Sequence, residues 1–394
     1  MAAMEKNNKT LNVPNLRFPE FSGEWEKCTL GSIGETFNGL TGKSAVDFGS
    51  GSPYITYKSI FDSSKIDISK VEYVKITETE RVKQTQNEVE YGDIFFTTSS
   101  ETPEEVGMAS VLLSEIRDCY LNSFCFGYRL FDKCIHQPDF FRFYLRSSNL
   151  RKKIAILAQG STRFNISKNE VMKMPIFLPS LAEQRKISKL LSLIEDRIET
   201  QKKVIEDLKK LKDAIRVKLF REVEKHCEVY DEIRNMLDYE QPSEYLVSST
   251  EYSDNYKTPV LTANKAFILG YTDEVHGIYD KGDCIILDDF TMDVKYVTFP
   301  FKVKSSAIKI LTPKQDVDLY FMYECLLYLG LVSEEHKRHY ISEIEPMTII
   351  CPPLPKQRQV AHVLRALEIQ VKSAKTYQDL LLKQKQYLLN QMFI

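Results

Sequence analysis

Two stretches of the chain place an apolar residue at every third or fourth position for about five heptads. In the first the stripe runs Ile187, Leu191, Ile194, Ile198, Gln201, Ile205, Leu208, Lys212, Ile215 and Leu219. In the second it runs Val360, Leu364, Leu367, Val371, Ala374, Gln378, Leu381, Lys385, Leu388 and Met392. A helix turns once in about 3.6 residues, so a sustained 4-3 spacing keeps one face apolar and calls for a partner helix. The pattern predicts two long helices, beginning near Leu181 and Leu354.

The two stretches are copies of one another. Met174 to Phe220 aligns with Met347 to Phe393 at a constant offset of about 173 residues. Pro179, Leu181, Gln184, Arg185, Leu191, Leu208, Lys212 and Phe220 recur as Pro352, Leu354, Gln357, Arg358, Leu364, Leu381, Lys385 and Phe393. Each copy reads as a short apolar strand, a proline-bearing turn and the long helix. The simplest partner for each helix is the other copy, and a duplicated unit favours an antiparallel pair. With flush ends Gln201 faces Gln378, a polar layer able to fix register. Alternatively these glutamines, with Lys212 and Lys385, lie at the edge of the stripe and reach into water.

Between the helices lie globular segments. Ser52–Ile60, Asp93–Thr98, Phe124–Phe131, Cys284–Leu287 and Ser306–Leu311 are rich in β-branched and aromatic residues and read as strands. Pro138–Leu150 and Asp318–Leu331 read as helices. The fold class is therefore α+β: two globular domains joined by two long antiparallel coiled-coil helices in a pseudo-twofold repeat. The expected boundaries are a disordered tail over 1–13, a first globular domain over 14–180, a helical spacer over 181–223, a second domain over 224–353 and a second spacer over 354–394. The two domains resemble one another only faintly, in a Gly–Asp–apolar step at Gly92-Asp93-Ile94 and Gly282-Asp283-Cys284.

Composition changes this picture little. Apolar residues at 43% and charged residues at 27% are ordinary for a globular protein, and a net charge of −2 carries no global sign of nucleic-acid binding. No apolar run approaches a membrane span, and the polar start gives no export signal, so a cytoplasmic location is expected. The eight cysteines contain no C-x-x-C pair and read as reduced core thiols.

Catalytic patterns fail one by one. Gly39 to Ser44 ends like a phosphate loop, but Phe37 stands where the first glycine is required. A turn with Lys43 beside a DNA phosphate and a plain surface loop both remain open. Phe48-Gly49-Ser50-Gly51 is a weak match to a methyl-donor loop, with no Asn/Asp-Pro-Pro-aromatic element to accompany it. Asp288 or Asp289 followed by Asp293-Val294-Lys295 is a loose match to metal-dependent nucleases.

With these residues in hand, the chain closely resembles the specificity subunits of type I restriction–modification systems. The resemblance covers nearly the whole chain and rests on NLRFPEF, NGLTGKS, PYITYKSI, GSTRFNISKNEVMKMPIFLP and PSLAEQRKI in the first half. In the second half it rests on the run from Asp238 to Thr272, DDFT, FPFKVKSSAIKIL and PPLPKQRQV. It implies that each domain reads one half of a split double-stranded DNA site and that the helices set the gap. It also implies two docked modification subunits supplying S-adenosylmethionine-dependent adenine methylation, and a motor–nuclease subunit using ATP and magnesium. No cofactor, metal or catalytic residue is expected in this chain.

Base edges are read by donors and acceptors, and phosphates by Lys and Arg. The candidates in the first domain are Lys43, Tyr57, Lys58, Thr97, Thr98, Ser99, Ser161, Thr162, Arg163, Asn165 and Lys168. Arg163 suits guanine and Asn165 adenine. Those in the second are Thr262, Asn264, Lys265, Asp289, Thr291, Lys295, Lys302, Lys304, Ser305 and Arg338. A helix of about 35 residues spans roughly 50 Å, more than one DNA turn. Four residues inserted after Val204 should therefore lengthen the tolerated spacer by about one or two base pairs. A coiled-coil scaffold whose domains bind other proteins, and less favoured a stand-alone nuclease, are the alternative readings.

Overall fold

The computed structural model describes residues 12–84, 87–262, 267–332 and 339–394. By contacts the chain divides into two units: Met1–Thr200 with Gln378–Ile394, and Gln201–Tyr377. Each unit thus holds one globular head together with part of each long helix.

The first unit opens with β1 (Glu26–Thr29), a single turn α1 (Leu30–Ile33) and β2 (Gly34–Asn38). There follow β3 (Phe48–Ile55), α2 (Tyr57–Asp62), β4 (Glu72–Val74), β5 (Ile94–Thr97), β6 (Ala109–Val111), β7 (Tyr120–Leu121), β8 (Cys125–Leu130) and α3 (Pro138–Tyr144). β9 (Pro175–Leu178) leads into the long helix α4 (Leu181–His226). An antiparallel sheet runs β2-β8-β5-β6, a second sheet runs β4-β3-β7, and β1 pairs antiparallel with β9. The expected single strand over Ser52–Ile60 ends at Ile55. Thr56 caps α2 there, its hydroxyl accepting the Ser59 N–H at 3.2 Å, and the cap outweighs the strand preference of Tyr57 and Ile60. The other expected strands fall within two residues of their positions.

The second unit repeats the strand order without a counterpart of α2 among the described residues: β10 (Tyr230–Glu232), α5 (Ile233–Met236), β11 (Leu237–Glu240), β12 (Thr258–Leu261), β13 (Ile268–Thr272), β14 (Cys284–Asp288), β15 (Val294–Val297), β16 (Lys302–Val303), β17 (Ile308–Pro313) and α6 (Leu319–Leu329). β18 (Thr348–Ile350) leads into the second long helix α7 (Leu354–Gln391). Its sheets run β11-β17-β14-β15 and β13-β12-β16, and β10 pairs antiparallel with β18. Both strand orders match those of the first unit. So do the senses of the pairings: β12 is antiparallel to β13 and parallel to β16, as β3 is antiparallel to β4 and parallel to β7.

The heads are therefore one topology built twice, which corrects the expectation of heads that are only faintly alike. The Gly–Asp–apolar step marks the start of equivalent strands, β5 and β14. Sequence identity is lost because strand pairing depends on backbone hydrogen bonds, which any alternating apolar pattern satisfies.

Both units attach the head to the helices by the same two contacts. Gln184 is buried; its amide donates to the Pro179 carbonyl at 2.9 Å, and its oxygen accepts the Gln137 N–H at the start of α3, also at 2.9 Å. Gln357 does the same with Pro352 at 2.9 Å and with Asp318 at the start of α6 at 2.8 Å. Phe393 packs on Phe140 and Tyr144 of α3, and Phe220 on Phe321 and Tyr328 of α6. The repeated Gln and Phe of the sequence are thus the clamps between helix and head.

Within each unit the long helices run antiparallel. In the second, Gln201 approaches Ala374 while Lys212 approaches Glu368, so one chain rises as the other falls. In the first, Lys385 binds Glu195 at 2.6 Å, the repeat image of the Lys212–Glu368 pair at 2.7 Å. Ile187, Leu191, Ile194, Ile198, Ile205, Val360, Leu364, Val371 and Leu381 are buried, with Leu208 and Leu367 partly so. The expected Gln201–Gln378 layer does not form, since the Gln201 amide donates to the Ala374 carbonyl at 3.0 Å. Nor does Lys212 reach into water, whereas the Lys385 side chain stays 28% exposed beside Glu195. Lys212 is 5% exposed and bridges Glu324 and Glu368.

Candidate nucleic-acid interface

In each head three loops leave the ends of equivalent strands and are stitched side by side by backbone hydrogen bonds. In the first head the Asn122 N–H donates to the Ile55 carbonyl at 3.0 Å and the Thr98 N–H to the Phe124 carbonyl at 3.1 Å. In the second the Lys304 N–H donates to Leu261 at 2.9 Å and the Asp289 N–H to Ala307 at 3.0 Å. The loops after β3, β5 and β7 therefore correspond to those after β12, β14 and β16. A fourth segment joins them in the first head, where Ser99–Ser100 pairs with Phe164–Asn165.

This surface collects most of the residues expected to meet DNA. Tyr57 and Lys58 follow β3, Thr98 and Ser99 follow β5, and Ser161, Thr162, Arg163 and Asn165 are exposed on the fourth segment. Lys168 stands beside the strand β2, its ammonium 2.9 Å from the Asn38 side-chain oxygen. In the second head Thr262 follows β12, Thr291 is exposed in the turn after β14, and Lys304 and Ser305 follow β16. Lys295 lies partly buried on β15. Asn264, Lys265 and Arg338 lie outside the described residues.

Several candidates are structural instead. Thr97 is wholly buried, its hydroxyl accepting the Met108 N–H at 3.0 Å. Asp289, 1% exposed, accepts the His339 and Tyr340 N–H groups and pairs with Lys309 at 3.2 Å. Lys302, 3% exposed, donates to the His276 carbonyl at 2.7 Å and pairs with Glu274. Lys43 is held 2.6 Å from Glu80 with its side chain nearly buried. Side chains held against protein partners in this way are drawn away from bases and phosphates. Polar side chains in loop sequences carry no mark of burial, so sequence did not separate these four from their neighbours.

The loop Asn122 to Phe124 was missed. It corresponds to the loop of Lys304 and Ser305, and its Phe124 is 65% exposed. The only signal for it was positional, in the equivalence of β7 and β16. Together Tyr57, Phe61, Glu101, Glu105, Phe124 and Arg163 line an open cavity of about 420 Å³. Burial pushes the Tyr57 phenol above its ordinary pKa, so it stays a donor, spent on the Ser99 carbonyl at 2.6 Å.

The near-catalytic patterns resolve as architecture. Gly49 and Gly51 take φ of 98° and 108° in an irregular stretch of β3, where a Cβ on Gly51 would lie 2.4 Å from the Val74 carbonyl oxygen. Asp288, Asp293 and Lys295 do line a common cavity, but it measures about 10 Å³. Asp288 closes a turn there, accepting the Phe290 and Thr291 N–H groups at 2.8 and 2.7 Å. Among the described residues no three His, Cys, Asp or Glu side chains converge as a metal site. Burial lifts the thiols of Cys119, Cys125, Cys284 and Cys325 to about 12, which keeps them protonated.

These features define a duplicated, two-headed protein built on paired helices. Residues 22–210 and 234–382 match the family described as the type I restriction modification DNA specificity domain, and the chain belongs to that family of DNA specificity subunits. A stretch of 160 residues is 41% identical to the specificity subunit of a type I restriction enzyme from Escherichia coli; it covers 38% of this chain and 40% of that relative. The MjaX type I restriction enzyme specificity subunit of Methanocaldococcus jannaschii is 26% identical over 97% of this chain and 96% of its own. Among solved structures, a type I restriction-modification S subunit from M. genitalium is similar in fold, with a TM-score of 0.61 at 16% identity, covering 97% of this chain and 99% of that one.

Proposed function

We propose that the chain reads a split, asymmetric DNA site, one half with each head, and serves as the non-catalytic specificity subunit of a restriction–modification complex. The observation that carries this reading is the duplicated loop face: the shared sheet topology presents Tyr57 and Thr98 on one head, where the fourth segment adds Arg163 and Asn165, and Thr262, Thr291 and Lys304 on the other. The same scaffold bearing different donors and acceptors is what two unlike half-sites require. The Arg163 guanidinium has no hydrogen bond or ion pair among the described residues and remains available to guanine.

Chemistry falls to partners in this reading. Two modification subunits supply S-adenosylmethionine-dependent adenine methylation, and motor–nuclease subunits supply ATP- and magnesium-dependent restriction, all in the cytoplasm. The helices carry large exposed apolar side chains, such as Leu193 at 57% and Ile369 at 60%, which a protein partner would cover.

Methylome sequencing of a host carrying this chain and its modification subunit tests the proposal. One two-part adenine-methylated motif that disappears with the chain is expected. Absence of any chain-dependent motif, or magnesium-dependent cutting by the purified chain alone, would overturn it.

A further inference from the structure

The cavity of the first head has a composition that phosphate binding does not explain. Two of its walls are carboxylates, Glu101 and Glu105, which repel a phosphate backbone. Glu105 accepts the Ser100 and Thr102 hydroxyls on one oxygen, at 3.2 and 3.0 Å, leaving the other oxygen without those donors. Glu101 is exposed, and its carboxylate, like the Arg163 guanidinium, has no partner among the described residues. Beside Ser99, Ser100 and Arg163, the other walls are aromatic: Tyr57 and Phe61 stacked with centroids 5.9 Å apart and planes 16° from parallel, and Phe124 standing 65% exposed.

An occupant must therefore offer hydrogen-bond donors to carboxylates, acceptors to a guanidinium and a flat face to aromatic rings. A nucleobase bearing an exocyclic amine meets all three conditions. A base still stacked in the duplex meets only the first two, because its faces are covered by its neighbours. The volume of about 420 Å³ also lies within the range of small-ligand sites, about 300–1,000 Å³. We infer that this cavity takes one amino-bearing base, rolled out of the stack of the first half-site, against Phe124 and Tyr57. Glu101 and Glu105 accept from its amine, Arg163 donates to its ring acceptors, and thymine is refused because it presents no amine to the carboxylates. No covalent step is involved.

The inference rests on the proposed DNA reading, and the test separates the two. Extrusion costs less where the base is unpaired to begin with. The full chain with its modification subunit is titrated, by fluorescence anisotropy, with duplexes carrying the recognised site and an abasic nucleotide placed in turn opposite each position of the first half-site. At one position the abasic partner should tighten binding several-fold, and the gain should be lost in Phe124→Ala and in Glu101→Gln. Both variants should keep the wild-type thermal midpoint. A position whose gain survives both substitutions belongs to a partner subunit and does not support the inference. Binding of DNA with no position that depends on Phe124 would overturn this inference and leave the functional reading standing. Loss of modification-subunit binding in Phe124→Ala, with DNA affinity unchanged, would overturn it in favour of a protein side chain in the cavity. A complex that binds no DNA would sink both.

Discussion

At the scale of single residues, the repeated glutamines have a role that separates them from the repeated arginines beside them. Gln184 and Gln357 are buried and each joins a proline carbonyl to the first N–H of a head helix. Gln184→Ala leaves the Gln137 N–H and the Pro179 carbonyl unpaired, so urea unfolding should show a loss of about 1–3 kcal/mol. Arg185→Ala, at an exposed position, should change stability by less than about 0.5 kcal/mol. Equal effects would mean that the clamp is not what fixes the head. A second residue-scale prediction concerns acid. The Lys43 ammonium, with the Thr77 N–H and hydroxyl, holds the Glu80 carboxyl at about 2, below its ordinary 4.5. A carboxyl depressed in the folded state stabilises above its unfolded value, and that contribution fades as pH falls from 4.5 toward 2. Glu80→Gln should lose less stability than the parent chain across that window. A parallel pH profile for the two would rule the pair out.

At the scale of elements, the helices were legible and the heads were not. The stripe from Ile187 to Leu208 is buried almost position by position because a coiled-coil face is dictated by spacing alone. The polar members of the stripe were less legible, since their outcome depends on what the facing helix and head supply. Lys212 meets Glu324, which lies at 0% exposure in the middle of α6, a partner that no heptad rule contains. That difference ranks two otherwise equivalent substitutions. Lys212→Met strips a buried carboxylate of one cation and should cost about 3–5 kcal/mol, although Arg216 still holds the other oxygen of Glu324. Lys385→Met breaks a pair whose side chains are 28% and 23% exposed, where solvent screens the charges, and should cost about 1 kcal/mol or less. Adding Glu324→Gln to Lys212→Met should recover stability. Calorimetric unfolding of the three variants beside the parent decides, and equal costs for the two lysines would refute the ranking. The common head topology escaped the sequence for a related reason: β2-β8-β5-β6 and β11-β17-β14-β15 share pairings, not side chains. The candidate surface was half legible. Arg163, Asn165 and Lys304 are exposed on it, whereas Asp289 and Lys302 turned inward to partners far away in sequence, Lys309 and Glu274 among them.

At the scale of the whole molecule, the proposed function makes helix length a determinant of the DNA spacer, and the antiparallel pairing changes how that idea must be tested. A four-residue insertion after Val204 alone shifts one stripe against the other and displaces Lys212 from Glu368. Four residues after Val204 and four after Tyr377, its repeat image, lengthen both helices alike and preserve the pairing of Lys212 with Glu368 and of Lys385 with Glu195. An insertion of four is a stutter that a coiled coil absorbs by local unwinding. Each insertion adds about 6 Å of helix, close to the rise of two base pairs. The matched variant should therefore methylate the same two half-sites with the spacer longer by one or two base pairs. The single insertion should lose stability and methylate weakly. Methylome sequencing of hosts carrying each variant reads both outcomes, and an altered half-site in the matched variant would show that the helices do more than set a length.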